Sequence, residues 1–408
     1  MKILILSDSL NPPSYIPRIR YIISYLAQRG DKITLCSELS DYKGDNDEVN
    51  YNFFEYIGNG GGLWAKIEWL LKTTLNLFCD HKGYDFFRHI NKTLANQQFD
   101  AIFCTNTFHS FPITTANRIS KQRQIPLYID LRDIIEQTPA NSDSIFRHRL
   151  PTPLGNIITW IYKRTHIKRR NKVLPNAKAI TTVSLWHRDF IKNYNANTYV
   201  VYNGFDESLF IPQKKVSDHF IISYIGGIYD LNMSCPDMFF EAIKSLKDKH
   251  HCITKDIKIE WFTDRKSKKL LKQRASEFDI DNLMTYRDFV YGKKVVEKMN
   301  ESSILLVLSH KASSDEYNGI MPTKFFEAIG VNRPILITPH NDNELTHTLN
   351  TINGGLASSN SDEIEQFILE KYDEWLSNGS VLGQIEDRVI QIFSRRDSAE
   401  ITRKILEK

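Results

Sequence analysis

The residues best suited to chemistry lie between 318 and 330. Asn318, Gly319, Ile320 and Met321 form a short polar-to-apolar loop, Pro322 and Thr323 open a helical pattern, and Lys324 and Glu327 stand one turn apart on it. A glycine-containing loop that runs into a helix N-terminus presents unpaired backbone N–H groups and the positive end of the helix dipole, which suits a diphosphate. Lys324 adds a mobile positive charge, and Glu327 is spaced to accept hydrogen bonds from ribose hydroxyls. The same spacing also fits a plain surface loop, a helix whose Phe325, Phe326 and Ile329 are core, and a solvated Lys/Glu pair. Spacing alone leaves both readings open.

Such a block needs a scaffold, and the surrounding pattern supplies one. Apolar runs at 2–6, 32–36, 101–104, 127–129, 179–183 and 198–201 read as strands, with helical spacing at 18–29, 114–122 and 186–194 between them. After Pro212 the alternation restarts at 220–224 and continues through 257–262, 304–308 and 334–338. Alternating strands and helices indicate doubly wound parallel sheets, two of them in tandem. Expected boundaries are 1–205 for a first Rossmann-like domain, 206–385 for a second, and 386–408 for a terminal helix that packs back on the first. In open parallel sheets ligands sit outside the carboxyl ends of the strands, so two such domains facing a cleft direct attention to strand-to-helix loops. His109 lies in one of these and is a candidate for the same cleft; an isolated histidine is equally a hydrogen-bonded structural residue.

At 408 residues, with 41% hydrophobic, 25% charged and 12% aromatic residues, the chain is an ordinary globular protein rather than a disordered or disulfide-stapled one. Its five scattered cysteines contain no Cys-x-x-Cys pair and read as thiols in a reducing compartment. No histidine spacing suggests a metal site. The N-terminal run from Lys2 to Asp8 reads as a strand rather than a signal peptide, and no stretch is apolar enough to span a membrane. The expected location is the cytoplasm.

The net charge of +4 conceals an asymmetry. Residues 1–205 hold 26 Lys and Arg against 17 Asp and Glu, whereas residues 206–408 hold 27 against 32. Residues 144–188 contain ten Lys and Arg and no acid, interleaved with Ile157, Trp160 and Ile161. A basic helical segment carrying Trp and Ile suits an anionic membrane surface. Nothing around it resembles a nucleic-acid-binding module. A second, mostly apolar stripe falls at Leu63, Ile67, Leu70, Leu71, Thr74 and Phe78, and core is its favoured reading over a membrane contact.

Several segments together resemble a known family. The 318–330 block, followed by Arg333, Pro334 and Ile335, is similar to the G-x-x-P-(S/T)-K-x-x-E-x-x-(A/G)-x-x-(K/R)-P-I signature of GT-B-fold, family 4 retaining glycosyltransferases. Ser184, then Val200 to Asp206 and Phe210, resembles that family's hinge. Tyr224, Gly226 and Gly227 resemble its Y-x-G loop, and Asp130, Arg132 and Asp133 its D-x-R-D strand end in the branch that builds bacterial surface polysaccharides. The resemblance implies a GT-B fold and metal-independent sugar transfer from a nucleoside-diphosphate donor, UDP favoured over GDP, to a lipid-linked saccharide at the inner membrane face. No cofactor is implied. Donor contacts then fall to Gly226, Gly227, Val290, Asn318, Gly319, Ile320, Met321, Pro322, Thr323, Lys324 and Glu327. Asp133 and Lys324 take catalytic positions, and Arg132, His109 and Tyr15 face the acceptor.

The chain departs from this family pattern at four places. Gly227 stands where relatives carry a diphosphate-binding Arg, and no Lys occurs near Asn232. The first of the paired glutamates falls on Gly319, and the 9–18 loop lacks the usual Gly-Gly. Two other functions remain compatible with this fold: a UDP-sugar 2-epimerase, and a nucleotide-sugar-binding protein without catalysis.

Overall fold

A computed structural model describes residues 1–11, 17–42, 44–57, 62–106, 109–137, 152–228, 230–250, 252–311 and 318–408. The chain divides into two units, residues 1–202 with 398–408, and residues 203–397. The first boundary thus falls between Tyr202 and Asn203, and the return to unit 1 comes at Ser398, twelve residues later than the expected 386.

Unit 1 runs β1 (Lys2–Ser9), α1 (Arg18–Gln28), β2 (Lys32–Glu38), β3 (Val49–Phe54), α2 (Leu63–Cys79), α3 (His81–Thr93), β4 (Ala101–Asn106), α4 (Ile113–Arg123), β5 (Leu127–Leu131), α5 (Thr152–Val173), β6 (Ala179–Thr182), α6 (Leu185–Ile191) and β7 (Thr198–Val200). Its seven strands are parallel in the order β3-β2-β1-β4-β5-β6-β7. β4 and β5 are buried along their whole length, which is why each opens with a continuous apolar run, 101–104 and 127–129, rather than an alternating one. Ile19, Ile22, Ile23 and Leu26 of α1 bury one stripe against one face of the sheet, and Gly30 ends the helix at a φ of 88°. Ala399, Ile405 and Leu406 join the core on that face.

Unit 2 repeats the plan: β8 (Phe220–Ile225), α7 (Asp237–Lys249), α8 (Ile253–Asp256), β9 (Ile257–Phe262), α9 (Arg265–Glu277), β10 (Met284–Arg287), α10 (Lys293–Glu301), β11 (Ile304–Leu308), α11 (Thr323–Gly330), β12 (Ile335–Thr338), α12 (Glu344–Thr351), β13 (Gly355–Ala357), α13 (Ser361–Asn378) and α14 (Asp387–Ile392), with α15 (Arg395–Leu406) completing the chain. Six parallel strands take the order β10-β9-β8-β11-β12-β13 around a core that includes Phe220, Phe239, Phe240 and Trp261. Asp264, Asn343 and Asn360 cap α9, α12 and α13 with side-chain oxygens.

Both sheets reverse their strand order once, between β1 and β4 and between β8 and β11. There the chain leaves neighbouring strands in opposite directions, opening a crevice at their carboxyl ends where ligands bind in this class of sheet. Among the candidates, His109 follows β4, Gly226 and Gly227 follow β8 and Asn318 to Pro322 follow β11, whereas Arg132 and Asp133 follow β5 and Val290 follows β10. Correcting the sequence expectation, the stripe on α2 is not core: no residue of α2 is buried. Of the five cysteines, Cys36, Cys104 and Cys235 are buried and Cys79 and Cys252 exposed.

Candidate functional site

In unit 2 the loops after β8 and β11 are tied together by two backbone hydrogen bonds, Cys235 N to Ser309 O at 2.9 Å and Lys311 N to Asn232 O at 2.6 Å. Pro322 precedes α11 in extended conformation, so the helix starts at Thr323, and Phe325, Phe326 and Ile329 anchor its inner face. Lys324 is thereby held in the first turn facing the loop after β8. Its Nζ donates to the Tyr224 hydroxyl at 2.7 Å and lies 4.0 Å from that ring's centroid, while Tyr224 donates onward to Gly227 O at 3.0 Å. Gly226 has a φ of 151°, and a Cβ there would lie 3.2 Å from Lys324 Nζ. Glycine is needed here for both backbone shape and clearance of the lysine.

A Cβ at Gly227 would lie 3.4 Å from Asp264 Oδ2 and 3.8 Å from the Phe289 ring. Val290 follows Phe289, whose ring stacks on Tyr291 at 5.9 Å. The loop thus presents aromatic faces beside the glycine pair. Glu327 is half-buried, and burial pushes its carboxyl up to about 7 against the opposing pull of Arg395 and Lys324. Gly319 has a φ of 76°, Ile320 is exposed and Met321 buried. Ile320 is therefore the exposed point of a loop in which Asn318 is half-buried and Gly319 and Met321 are buried, Met321 serving as its apolar anchor.

In unit 1 a buried polar cluster gathers at the carboxyl ends of the central strands. Arg18 forms two hydrogen bonds to Asp130, at 2.7 and 3.0 Å, and both side chains are almost fully buried. Thr181 and Thr105 also donate to Asp130, at 2.6 and 3.2 Å. Burial would raise the Asp130 carboxyl, but Arg18, the Thr181 hydroxyl and the charge of Arg132 hold it below the ordinary aspartate value. Arg18 donates further to Val201 O and Tyr202 O, fixing the end of the unit. Of the D-x-R-D segment, Asp130 is therefore a structural residue.

Arg132 and Asp133 follow β5. Burial pushes the Asp133 carboxyl up, Arg132 opposes this, and Asp130 adds to it. Burial likewise lowers Arg132, while Asp133 supports its charge. His109 accepts or donates at 2.8 Å with the Tyr162 hydroxyl, and its ring lies 5.4 Å from that of His166. His166 is buried and bonded to Ser110. Tyr15 lies outside the described residues. Among the described residues no group of His, Cys, Asp and Glu is placed to hold a metal ion, and no helix is long and apolar enough to cross a membrane.

Anabaena Alr3699/HepE in complex with UDP superposes over 100% of both chains with a TM-score of 0.65 at 13% identity. Sucrose-phosphate synthase from Thermosynechococcus elongatus covers 100% of this chain and 98% of its own with a TM-score of 0.63 at 11% identity. The fold is GT-B. A protein from Listeria monocytogenes assigned as a UDP-N-acetylglucosamine 2-epimerase is similar at a TM-score of 0.53, 12% identity, and coverage of 100% and 97%. No protein-family profile and no curated protein sequence matches the chain.

The structure brings Gly226, Gly227 and Lys324 together, with Phe289 beside the glycine pair and Glu327 one turn beyond the lysine. No lysine stands near Asn232 in the sequence, but Lys311 comes beside it in space through its backbone bond to Asn232, with an exposed side chain whose Nζ is 3.7 Å from Asp237. No linear motif could reveal this, because the two loops are far apart in sequence; only the strand order that sets β8 beside β11 does so.

Proposed function

We propose that the chain is a retaining, metal-independent glycosyltransferase that moves a sugar from a nucleoside-diphosphate donor, UDP preferred over GDP, to a lipid-linked saccharide in surface-polysaccharide synthesis. The observation that carries this reading is Lys324, held over the Gly226–Gly227 loop by Tyr224 at the start of α11 and at the reversal of the second sheet. A leaving nucleoside diphosphate gains negative charge as the glycosidic bond breaks, and a fixed cation beside a helix N-terminus stabilises that charge more than the ground state.

In this reading the amides of Gly319, Ile320 and Met321 meet the sugar, Glu327 accepts from the ribose, and the base stacks in the Val290 loop. Lys311 substitutes in space for the cation that the loop after β8 lacks. In unit 1, Asp133, with its proton affinity raised by burial, orients the acceptor hydroxyl, and Arg132 holds Asp133 in place. His109 and Tyr15 complete the acceptor side. The donor phosphate itself takes the acceptor proton. Residues 144–188 meet the inner leaflet, which makes the protein peripheral and cytoplasmic.

Thermal-shift titration with UDP, GDP and ADP and their sugars tests the donor assignment, since a ligand of the native state raises its melting temperature. Radiolabel transfer to extracted lipid acceptor tests the reaction. Lys324→Ala is expected to lower turnover about 100-fold; unchanged turnover would sink the proposal. Acceptor-independent 2-epimerisation would mark an epimerase instead, and nucleotide binding without any turnover a binding protein.

A further inference from the structure

The helix α2 is built inside out. Its more covered side carries Ala65, Trp69, Lys72, Thr73, Asn76 and Leu77, while Leu63, Trp64, Ile67, Leu70, Leu71, Leu75 and Phe78 are exposed, Trp64 at 82% and Leu63 at 72%. This is a fixed orientation. The Tyr56 hydroxyl donates to Lys72 O at 2.8 Å and Lys72 Nζ donates to Tyr56 O at 2.5 Å. Arg169 of α5 donates to Asn76 O and Leu77 O at 2.7 and 2.8 Å, capping the last carbonyls of α2. Asp80, in left-handed conformation, ends the helix and pairs with Arg118 at 2.5 Å.

The neighbouring α5 changes character along its outward side. Leu154, Ile157 and Trp160 are exposed in its first half, and Arg164, Lys168 and Lys172 in its second. Arg164 lies over the Trp160 ring at 5.2 Å. The described part of α5 holds no acid, and the single acid of α2, Glu68, is paired with Lys72 at 2.7 Å. Seven large apolar side chains on one rigid helix exceed what a monomer ordinarily leaves in water, and a cationic neighbour selects what covers them. Tryptophan flanked by Arg and Lys suits a headgroup boundary, with the apolar face a few ångströms deeper.

We propose that α2 is an interfacial membrane helix, entering the acyl boundary of an anionic leaflet while Arg164 and Lys168 of α5 meet the phosphate headgroups. This rests on the lipid-linked acceptor of the proposed function and adds the element that inserts, which lies outside the basic segment 144–188. The expected order is electrostatic approach by α5 and retention by α2, because charge attracts over about a Debye length whereas apolar burial acts only at contact.

The test uses the full chain with vesicles of phosphatidylcholine alone or mixed equally with phosphatidylglycerol. Co-sedimentation is expected only with the mixed vesicles, with tryptophan emission shifted to the blue and quenched by bromine-labelled acyl chains. The variant Trp64→Ser/Leu70→Ser/Leu71→Ser is expected to bind at least about tenfold more weakly with its melting temperature little changed, since these side chains are mostly exposed. Arg164→Ser/Lys168→Ser is expected to weaken binding and flatten its salt dependence. Undiminished binding of the triple variant overturns the proposal. So does a wild-type protein that ignores vesicles and forms a dimer that the triple variant dissolves, which would make this face a contact with a second copy. Nucleotide thermal shifts run in parallel: if no nucleotide raises the melting temperature, the donor assignment fails, whatever the vesicles show.

Discussion

Glu327 offers the sharpest test of the site's electrostatics because its perturbation can be removed without changing its shape. An ordinary glutamate ionises near 4.5, and burial on α11 pushes this one up to about 7. Between those pH values the folded state keeps the proton and the unfolded state has lost it. Stability is therefore fully present below pH 4.5, falls as pH rises through the window, and is lost above 7. At 1.36 kcal/mol per tenfold change in proton affinity the loss is at most about 3 kcal/mol, and about 2 kcal/mol once the solvated part of the side chain is allowed for. For a unit of this size that is a drop of about 4–8 °C in melting temperature. Thermal melts of wild type and Glu327→Gln from pH 4 to 8, in buffers of constant ionic strength, isolate the effect, since other groups cancel in the difference. The glutamine variant should be the more stable protein at pH 8 and its equal or inferior at pH 4.5. Parallel curves for the two proteins would refute the burial argument. Replacing Lys324 by Met should move the wild-type fall to higher pH, because one of the two opposing cations is gone.

Two further perturbations probe the frame that holds these residues. Asp130→Ala leaves Arg18 buried and unpaired, and should cost about 3–5 kcal/mol of stability in urea unfolding; a loss below 1 kcal/mol would mean that Arg18 finds water instead. Gly330→Ala puts a Cβ 2.5 Å from the Phe205 ring, so a loss of about 1–3 kcal/mol is expected, relieved by Phe205→Leu, whose smaller side chain clears the new methyl.

The strands and their alternation with helices could be read from the sequence because parallel strands buried on both faces carry uninterrupted apolar runs, as at 101–104 and over Ile304–Leu308. The 318–330 block was legible for a similar reason: the proline, the lysine and the glutamate keep their spacing along one helix. What depended on distant contacts was not legible. Asp130, placed in a motif by its neighbours Arg132 and Asp133, is in fact committed to Arg18, 112 residues away. Lys311 reaches Asn232 only because β8 and β11 are adjacent. The stripe on α2 failed for a deeper reason: helical periodicity says that a helix has two unlike faces, but not which of them meets the protein.

The charge asymmetry takes a different meaning once side chains have positions. Of the basic residues on α5, Arg170 is buried and paired with Glu136, and Arg169 caps α2. Neither is available to an outside partner. Of the other four on α5, Lys163 is half-buried and Arg164, Lys168 and Lys172 are exposed, a smaller attraction than the ten basic residues of 144–188 suggested, the exposed three worth about 1 kcal/mol each near an anionic surface. Three such charges bring a protein to a membrane but hold it weakly, and salt screens them. The apolar face of α2 supplies what they lack. In the acidic half the reverse holds: a net excess of carboxylates surrounds a site proposed for a dianion, so the field of the unit opposes the ligand and short-range geometry must overcome it. The Tyr224 hydroxyl fixes Lys324, glycine at 226 leaves room for it, and burial raises the Glu327 carboxyl, one turn along the same helix, to about 7. Each of these acts within a few ångströms, where screening by salt is least effective.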